Sequence, residues 1–446
     1  MLRSLVRVAQ WTVLAVSLAS VWSVVSVPQT PSGGTPRGER RTVAAPEQAP
    51  PAEAPPTAQE RQVQRELEAQ MRGEARKDRI VTVQGKVIQG KILGESASGV
   101  RVLRSFGDSG DMEMTLARGD IKTIERGHTE TPPPIRLRDV RFKLEFARFN
   151  LYRRPPFTIV TDQSFFEVQD ATRTLDELHS EFVHTFTPLI RDHERSDGIQ
   201  LLFFSDERQF NAYRDEFAPA LGYASGFYSP MKDRLVIYDQ ANSQWVDQAS
   251  QQIDGQREAY RDYAAQRGAG IALHEWHQSA RRTLGSIAER ANRMILRHEG
   301  AHQLFHTYGV HSQQGVEHLW LIEGLASYCE ERDDQGTKMR VEELKAVPDP
   351  HALPFPELVN FASREGINSL GGQAEIDLFY PKAWIVVDHL MKRHREEFFA
   401  YVRHVRDPAN EAVLNETSDF ALLSRFLGVS QEQLQSELER ALRERL

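Results

Sequence analysis

The chain has 446 residues, a net charge of −8 and a pI near 6.0, which gives room for one large domain with smaller modules beside it. No basic tract interrupts the acidic balance, so nothing in the composition points to nucleic acid as a partner. The one cysteine, Cys329, excludes a disulfide within the chain.

The chain opens on Met1-Leu-Arg-Ser-Leu-Val-Arg7, a short basic stretch, and continues from Val8 to Val27 without a formal charge. Residues 1–27 therefore have the pattern of a secretory signal, and are also just long enough to remain as a membrane anchor. Either outcome places the bulk of the protein outside the cytoplasm, as a periplasmic, secreted or anchored protein. Residues 28–77 divide in two. From Pro28 to about Thr57 the composition is Pro, Ala, Gly, Gln and Glu, which predicts a disordered spacer. Ala58 to Lys77 is highly charged and predicts a short solvated helix.

Residues 78–127 change character. Ile80–Val83, Gly90–Leu93, Gly99–Leu103, Met112–Leu116 and Ile121–Ile124 are short β-branched runs punctuated by Gly85, Gly94, Gly107, Gly110 and Gly119. Five such strands predict a small, curved β-barrel of the SH3 or Sm kind, serving as a spacer or docking module. Thr131-Pro-Pro-Pro134 marks a boundary, and residues 136–446 form the main domain. There, strands are predicted at Phe157–Thr161, Ile199–Phe204, Gly226–Tyr228 and Leu235–Tyr238, the last two as a hairpin whose exposed edge could take up an extended peptide. Helices are predicted at Phe166–Ile190 and Asp206–Phe217, then Ala383–Val405 and Ser430–Leu446. This is an α+β domain, with a mixed-sheet lobe ahead of a helical one. Ala241–Gly285, rich in Gln, Ala and Arg, is expected to be a polar insertion, helical in part.

The chemistry concentrates at His298-Glu299-Gly-Ala-His302. Positions i and i+4 leave one face of a helix a turn apart, which lets two imidazoles grip one zinc ion. The stripe Ile287, Ala291, Met294 and Ile295 leads into them, so the pair points inward. Glu299 stands where a carboxylate can take a proton from an attacking water. With 15 histidines in the chain such a pentapeptide is a moderately common string. Its significance rests on Glu323, which follows His302 after 20 intervening residues, enough for a helix to end, turn and return with a third ligand.

Other histidines compete less well. His274-Glu-Trp-His277 has i, i+3 spacing and no further ligand nearby. His298, His302 and His306 span about 12 Å along one helix, too far for a single tetrahedral ion; His306 reads as a helix C-terminal residue favoured by the macrodipole. His311 and His318 add no ligand spacing. Ser327, one turn beyond Glu323, can supply a supporting hydrogen bond. Cys329 lies about 240° around the helix from Glu323 and faces away from the metal. Gly300, costly inside a helix, predicts a close neighbour.

The segment His298–Tyr328 resembles the gluzincin metallopeptidases, in particular the aminopeptidase N-like group, which pairs an H-E-x-x-H-Q helix with a W-L-x-E-G-x-A-[ST] helix. The matching residues are His298, Glu299, His302, Gln303, Trp320, Leu321, Glu323, Gly324, Ala326 and Ser327. The resemblance implies a gluzincin fold, Zn2+ held by His298, His302 and Glu323, and Glu299 as general base. That group's catalytic tyrosine sits in a Y-x-K-[GA] context, which Tyr380-Pro-Lys382-Ala383 fits, so Tyr380 is the implied oxyanion stabiliser. The interval from His302 to Glu323 is two residues longer than in that group. No G-x-M-E-N segment is present, so recognition of a free amino terminus is not implied. A metzincin would need Gly at 305 and His at 308, where this chain has Phe305 and Tyr308. Residues 150–446 also resemble extracytoplasmic bacterial proteins of the domain-of-unknown-function 1570, peptidase MA-like group, which carry a G-F-Y stretch like Gly226-Phe-Tyr228. The expected activity is zinc-dependent, endopeptidase-like hydrolysis of a peptide or protein substrate. The alternative is a non-catalytic envelope module that binds peptide or polymer on the same fold.

Overall fold

A computed structural model of the chain describes residues 55–74, 76–105, 111–129, 135–164, 167–191, 199–221, 224–311, 318–330, 334–361, 373–407, 410 and 418–446. The signal or anchor at 1–27, the spacer up to residue 54 and the Thr131–Pro134 boundary lie outside the described residues. Contacts divide the chain into two compact units that part between Gln169 and Asp170.

The first unit opens with α1 (Ala58–Glu74). Its start is a reciprocal cap: Thr57 N–H donates to Glu60 Oε2 at 2.6 Å and Glu60 N–H to Thr57 Oγ1 at 3.1 Å. The helix is less solvated than its charge suggested. Leu67 is buried with Ile135 and Val140, Val63 packs against them, and Glu60 pairs with Arg141 at 2.8 Å. The predicted strands follow as β1 (Arg76–Thr82), β2 (Val87–Glu95), β3 (Gly99–Ser105), β4 (Asp111–Ala117) and β5 (Ile121–Thr129). They form an antiparallel sheet in the order β4-β3-β2-β1-β5 over a small core of Ile80, Ile88, Val100 and Val102.

No closed barrel forms among the described residues: β4 and β5 end the ladder on opposite sides instead of pairing. The 3-10 turn Arg118–Asp120 that joins them bonds elsewhere. Val83 N–H donates to Asp120 O at 2.9 Å and Arg118 N–H to Ser98 O at 3.0 Å, which fastens the turn to other strand ends. Two elements had no clear sequence signal, α2 (Leu137–Glu145) and β6 (Asn150–Arg154). The latter pairs antiparallel with β7 (Phe157–Thr161).

The second unit mixes strands and helices, as expected. It begins with α3 (Gln169–Phe186), then β8 (Ile199–Phe204) and α4 (Glu207–Phe217). Asp206 caps α4 by accepting from the N–H groups of Arg208 and Gln209 at 2.6 and 3.1 Å. Strands β9 (Gly226–Ser229) and β10 (Arg234–Tyr238) form the antiparallel hairpin, and β10 runs parallel to β8. All six residues of β8 and all five of β10 are buried, which is why both read as unbroken apolar runs. Strand β9 ends the sheet, yet Gly226–Tyr228 are buried. This strand packs against the helix described next, where Gly226 meets Ile295 and the Tyr228 N–H donates to Glu299.

The supposed polar insertion is a helix pair. Helix α5 (Gln244–Gln266) packs on α6 (Gly270–Thr307), a continuous helix of 38 residues. Ala249, Ile253 and Leu284 form their shared core, flanked by Trp245, Val246, Trp276 and Ala280. His277 belongs to this seam: its Nε2 lies 2.8 Å from Asp254 Oδ1, while Arg281 pairs with Asp254 Oδ2.

The helical remainder comprises α7 (Leu319–Cys329), α8 (Asp334–Ala346), α9 (Phe355–Asn360), α10 (Gln373–Arg393), α11 (Arg395–Val405), α12 (Asp419–Leu427) and α13 (Gln431–Arg443). Ser418 and Ser430 cap the last two, and Gly428 closes α12 at φ 68°, a left-handed turn that suits glycine. No helix among the described residues is long and apolar enough to cross a membrane.

Two glycines permit the contacts that bring the chemistry together. A Cβ on Gly300 would lie 2.9 Å from Leu178 Cδ2, so α3 packs directly on the backbone of α6. On Gly324 it would lie 2.7 Å from Val387 Cγ2 and 2.8 Å from the Ala383 carbonyl, so α7 and α10 cross with no room for a methyl group. Gly324→Ala is expected to destabilise the protein by about 1–3 kcal/mol, read as a lower urea midpoint; an unchanged midpoint would show that the two helices can separate freely.

Candidate metal centre

The apolar stripe of α6 continues through buried Leu284, Ala288 and Ala291 to His298, Glu299 and His302. Helix α7 brings Glu323 against them. His298 Nε2 lies 3.2 Å from His302 Nε2 and 3.2 Å from Glu323 Oε2, and His302 Nε2 lies 3.5 Å from the same oxygen. A tetrahedral zinc with bonds of about 2.0–2.1 Å spaces its donors at about 3.4 Å. The three separations match that edge, and the donor set of two imidazoles and a carboxylate suits zinc, so the residues fit the ion that the spacing implied.

Burial and charge act together here. His298, Glu299 and Glu323 are all nearly inaccessible to solvent. Burial pushes the Glu323 carboxyl up, but His302 and His298 outweigh it and bring its pKa down to about 2. Burial likewise opposes charge on His298, yet hydrogen bonds to Glu323 and Glu330 raise it to about 10. Glu299 is shifted the other way, raised first by burial and further by Glu323. The pocket is thus a dry cluster in which the two histidines offset the charge of Glu323 while Glu299 is held towards its neutral form.

Behind the ligands is a layer that sequence reasoning missed. Glu330, just past the end of α7, places Oε1 2.7 Å from His298 Nδ1. With Nδ1–H directed at this carboxylate, Nε2 is the nitrogen that faces His302 and Glu323 and would be the donor to an ion. Arg340 on α8 holds Glu330 through Nε at 3.0 Å and through Nη2, reaches Glu343 at 3.0 and 3.1 Å, and donates to Ser327 Oγ at 3.4 Å. Glu330 had a usable signal, since seven residues after Glu323 is two turns along the same face. Arg340 had none. Ser327 supports the centre, but through Arg340.

Glu299 is fixed from the other side. Its Oε2 accepts the Tyr228 N–H of β9 at 3.1 Å. This approach requires Gly226, where a Cβ would lie 2.6 Å from Ile295 Cγ2 and 2.9 Å from Ile237 Cγ2. The Gly226-Phe-Tyr228 stretch therefore touches the metal helix directly. Tyr228 also explains His306. The tyrosine hydroxyl donates to Asp233 Oδ1 at 3.0 Å, so the 2.8 Å contact with His306 Nδ1 has the imidazole N–H donating to the phenol oxygen. His306 ties the β9–β10 turn to α6 and is more than a helix-end histidine.

Tyr380 lies within α10, not at its start, and its ring centre is 6.3 Å from that of His298. Burial chiefly, with Glu323 and Glu299 adding to it, raises its hydroxyl well above the ordinary tyrosine value, which keeps it a proton donor. Lys382, two residues on, does not reach the centre. Its ammonium bonds the Leu353 and Pro350 carbonyls at 2.6 and 3.1 Å and sits over the Phe355 ring. His318 pairs with Asp419. His311 Nε2 is buried with no hydrogen-bond partner among the described residues, and burial lowers its pKa to about 3. Cys329 is buried, and its carbonyl accepts from Arg297 Nε at 2.8 Å.

No curated protein matches the chain. The family model described as "Protein of unknown function (DUF1570)" matches residues 293–410, a stretch that contains all five candidate site residues.

Proposed function

We propose that the chain is a zinc-dependent hydrolase of peptide bonds, of gluzincin type and endopeptidase-like, acting outside the cytoplasm. The observation that carries this reading is the 3.2, 3.2 and 3.5 Å triangle of His298 Nε2, His302 Nε2 and Glu323 Oε2 with Glu299 alongside. Zinc held there would polarise the scissile carbonyl and lower the pKa of the attacking water. Glu299, with Oε2 anchored by Tyr228, takes the proton from that water and delivers it to the leaving amine. Tyr380 donates its hydroxyl hydrogen bond to the oxygen that gains negative charge. Glu330 and Arg340 keep the His298 ring turned towards the ion, and burial keeps bulk water from competing.

The purified chain is expected to carry zinc, and the His298→Ala, His302→Ala double variant to hold about one ion per chain fewer. Its hydrolysis of an unfolded protein should stop with a chelator and return with zinc. Tyr380→Phe is expected to lower kcat by about 10²–10³-fold, measured on the same substrate. Binding of peptide without turnover, unaffected by these changes, would instead favour a non-catalytic envelope module.

A further inference from the structure

A second group of donors sits at the C-terminal end of α10, away from the residues assigned above. His389 lies on α10, His394 in the break before α11, and Glu437 on α13. On one unbroken helix, residues five apart diverge by about 140°, so His389 and His394 would point to different sides. The backbone leaves helical geometry at His394 (φ −138°, ψ 38°), and the two rings come to 5.9 Å between centres. Buried Leu434 and Leu438 seat α13 in the core and set Glu437 opposite the pair.

His389 Nε2 and His394 Nε2 both face Glu437 Oε2, at 3.3 and 3.4 Å, and all three donor atoms lie within 4.8 Å of one another. Charge-assisted N–H···O⁻ bonds are shorter, about 2.7–2.9 Å. The two separations from Glu437 Oε2 are instead close to the edge of about 3.4 Å that a tetrahedral zinc sets between its donors. The other carboxylate oxygen, Oε1, accepts from Gln433 Nε2 at 3.0 Å, which orients Oε2 towards the histidines. The three side chains are 13, 21 and 19 % exposed, so a fourth position opens to solvent. The Arg393 guanidinium opposes a cation here, but one flanking charge near solvent is weak beside three inner-sphere bonds.

We propose that His389, His394 and Glu437 form a second zinc site that clamps α10, α11 and α13 together. Two imidazoles and one carboxylate are a borderline donor set that selects zinc over magnesium or calcium. The site is independent of the hydrolase reading, although α10 is also the helix that carries Tyr380.

The test is zinc content of the full chain after dialysis against buffered zinc chloride. The parent is expected to hold about two ions per chain. The His394→Ala, Glu437→Gln variant should hold one, and combining these changes with His298→Ala and His302→Ala should leave none. Zinc content unchanged by the His394→Ala, Glu437→Gln pair overturns the proposal. A parent with a single zinc that vanishes only with this pair upholds the second site and removes zinc from His298, His302 and Glu323. Should the double variant fold poorly, Gln433→Ala, which removes only the support of Glu437, is expected to weaken zinc affinity at this site by about tenfold; unchanged affinity there also overturns it.

Discussion

Glu299→Gln is expected to lower turnover of an unfolded protein substrate by about 10²–10⁴-fold, with zinc content and thermal midpoint close to those of the parent chain. The separation of the two effects follows from what Glu299 touches. Its Oε2 accepts the Tyr228 N–H at 3.1 Å, and a glutamine carbonyl can accept the same bond. The amide fills the same volume in a pocket that is already dry, and His298, His302 and Glu323 are not altered. What it cannot do is carry a proton from water to an amine. Equal turnover in the two proteins, measured as initial rates at saturating substrate, would take Glu299 out of the chemistry.

Arg340→Met is expected to cost about 3–5 kcal/mol of stability, measured as a lower urea midpoint with an unchanged m-value. The guanidinium is buried between Glu330 and Glu343, which are themselves buried or nearly so. Methionine would leave Glu343 in a dry interior without its guanidinium and Glu330 with His298 as its one remaining cation among the described contacts. Adding Glu330→Gln and Glu343→Gln to Arg340→Met should recover most of the loss, because the penalty lies in the stranded charge and not in the missing contacts. A similar loss with and without the carboxylates would mean that Arg340 acts through packing alone. The single variant is also expected to weaken zinc retention, since Glu330 then no longer has a fixed position behind His298.

The convergence of His298, His302 and Glu323 was legible because its information is local. His298 and His302 follow from helical periodicity, and Glu323 from the length of chain needed to return. The supporting layer was less visible: Glu330 shares a face with Glu323, but Arg340 comes from a helix whose sequence gives no sign of where it packs. The α5–α6 pair was misjudged because its seam is thin. Ala249, Ile253 and Leu284 form its buried apolar cluster among many Gln, Arg and Glu, too few to register as a stripe. The five strands of the first unit were found from their β-branched runs, but closure depends on which edges meet, and strand content alone does not fix that. Nor did the hairpin sequence reveal that β9 packs against α6, since that depends on the space left at Gly226.

Helix α6 runs unbroken from Gly270 to Thr307, so its first residue and His298 are roughly 40 Å apart along one rod. Both imidazole donors ride on that rod, whereas Glu323 and Tyr380 ride on α7 and α10, which are locked together at Gly324. A torque applied to the far end of α6, where it pairs with α5, therefore turns His298 and His302 through the same angle and leaves the carboxylate and the phenol behind. The protein has in effect one shaft and one fixed jaw, and the spacing of His298 and His302 from Glu323 depends on their relative rotation.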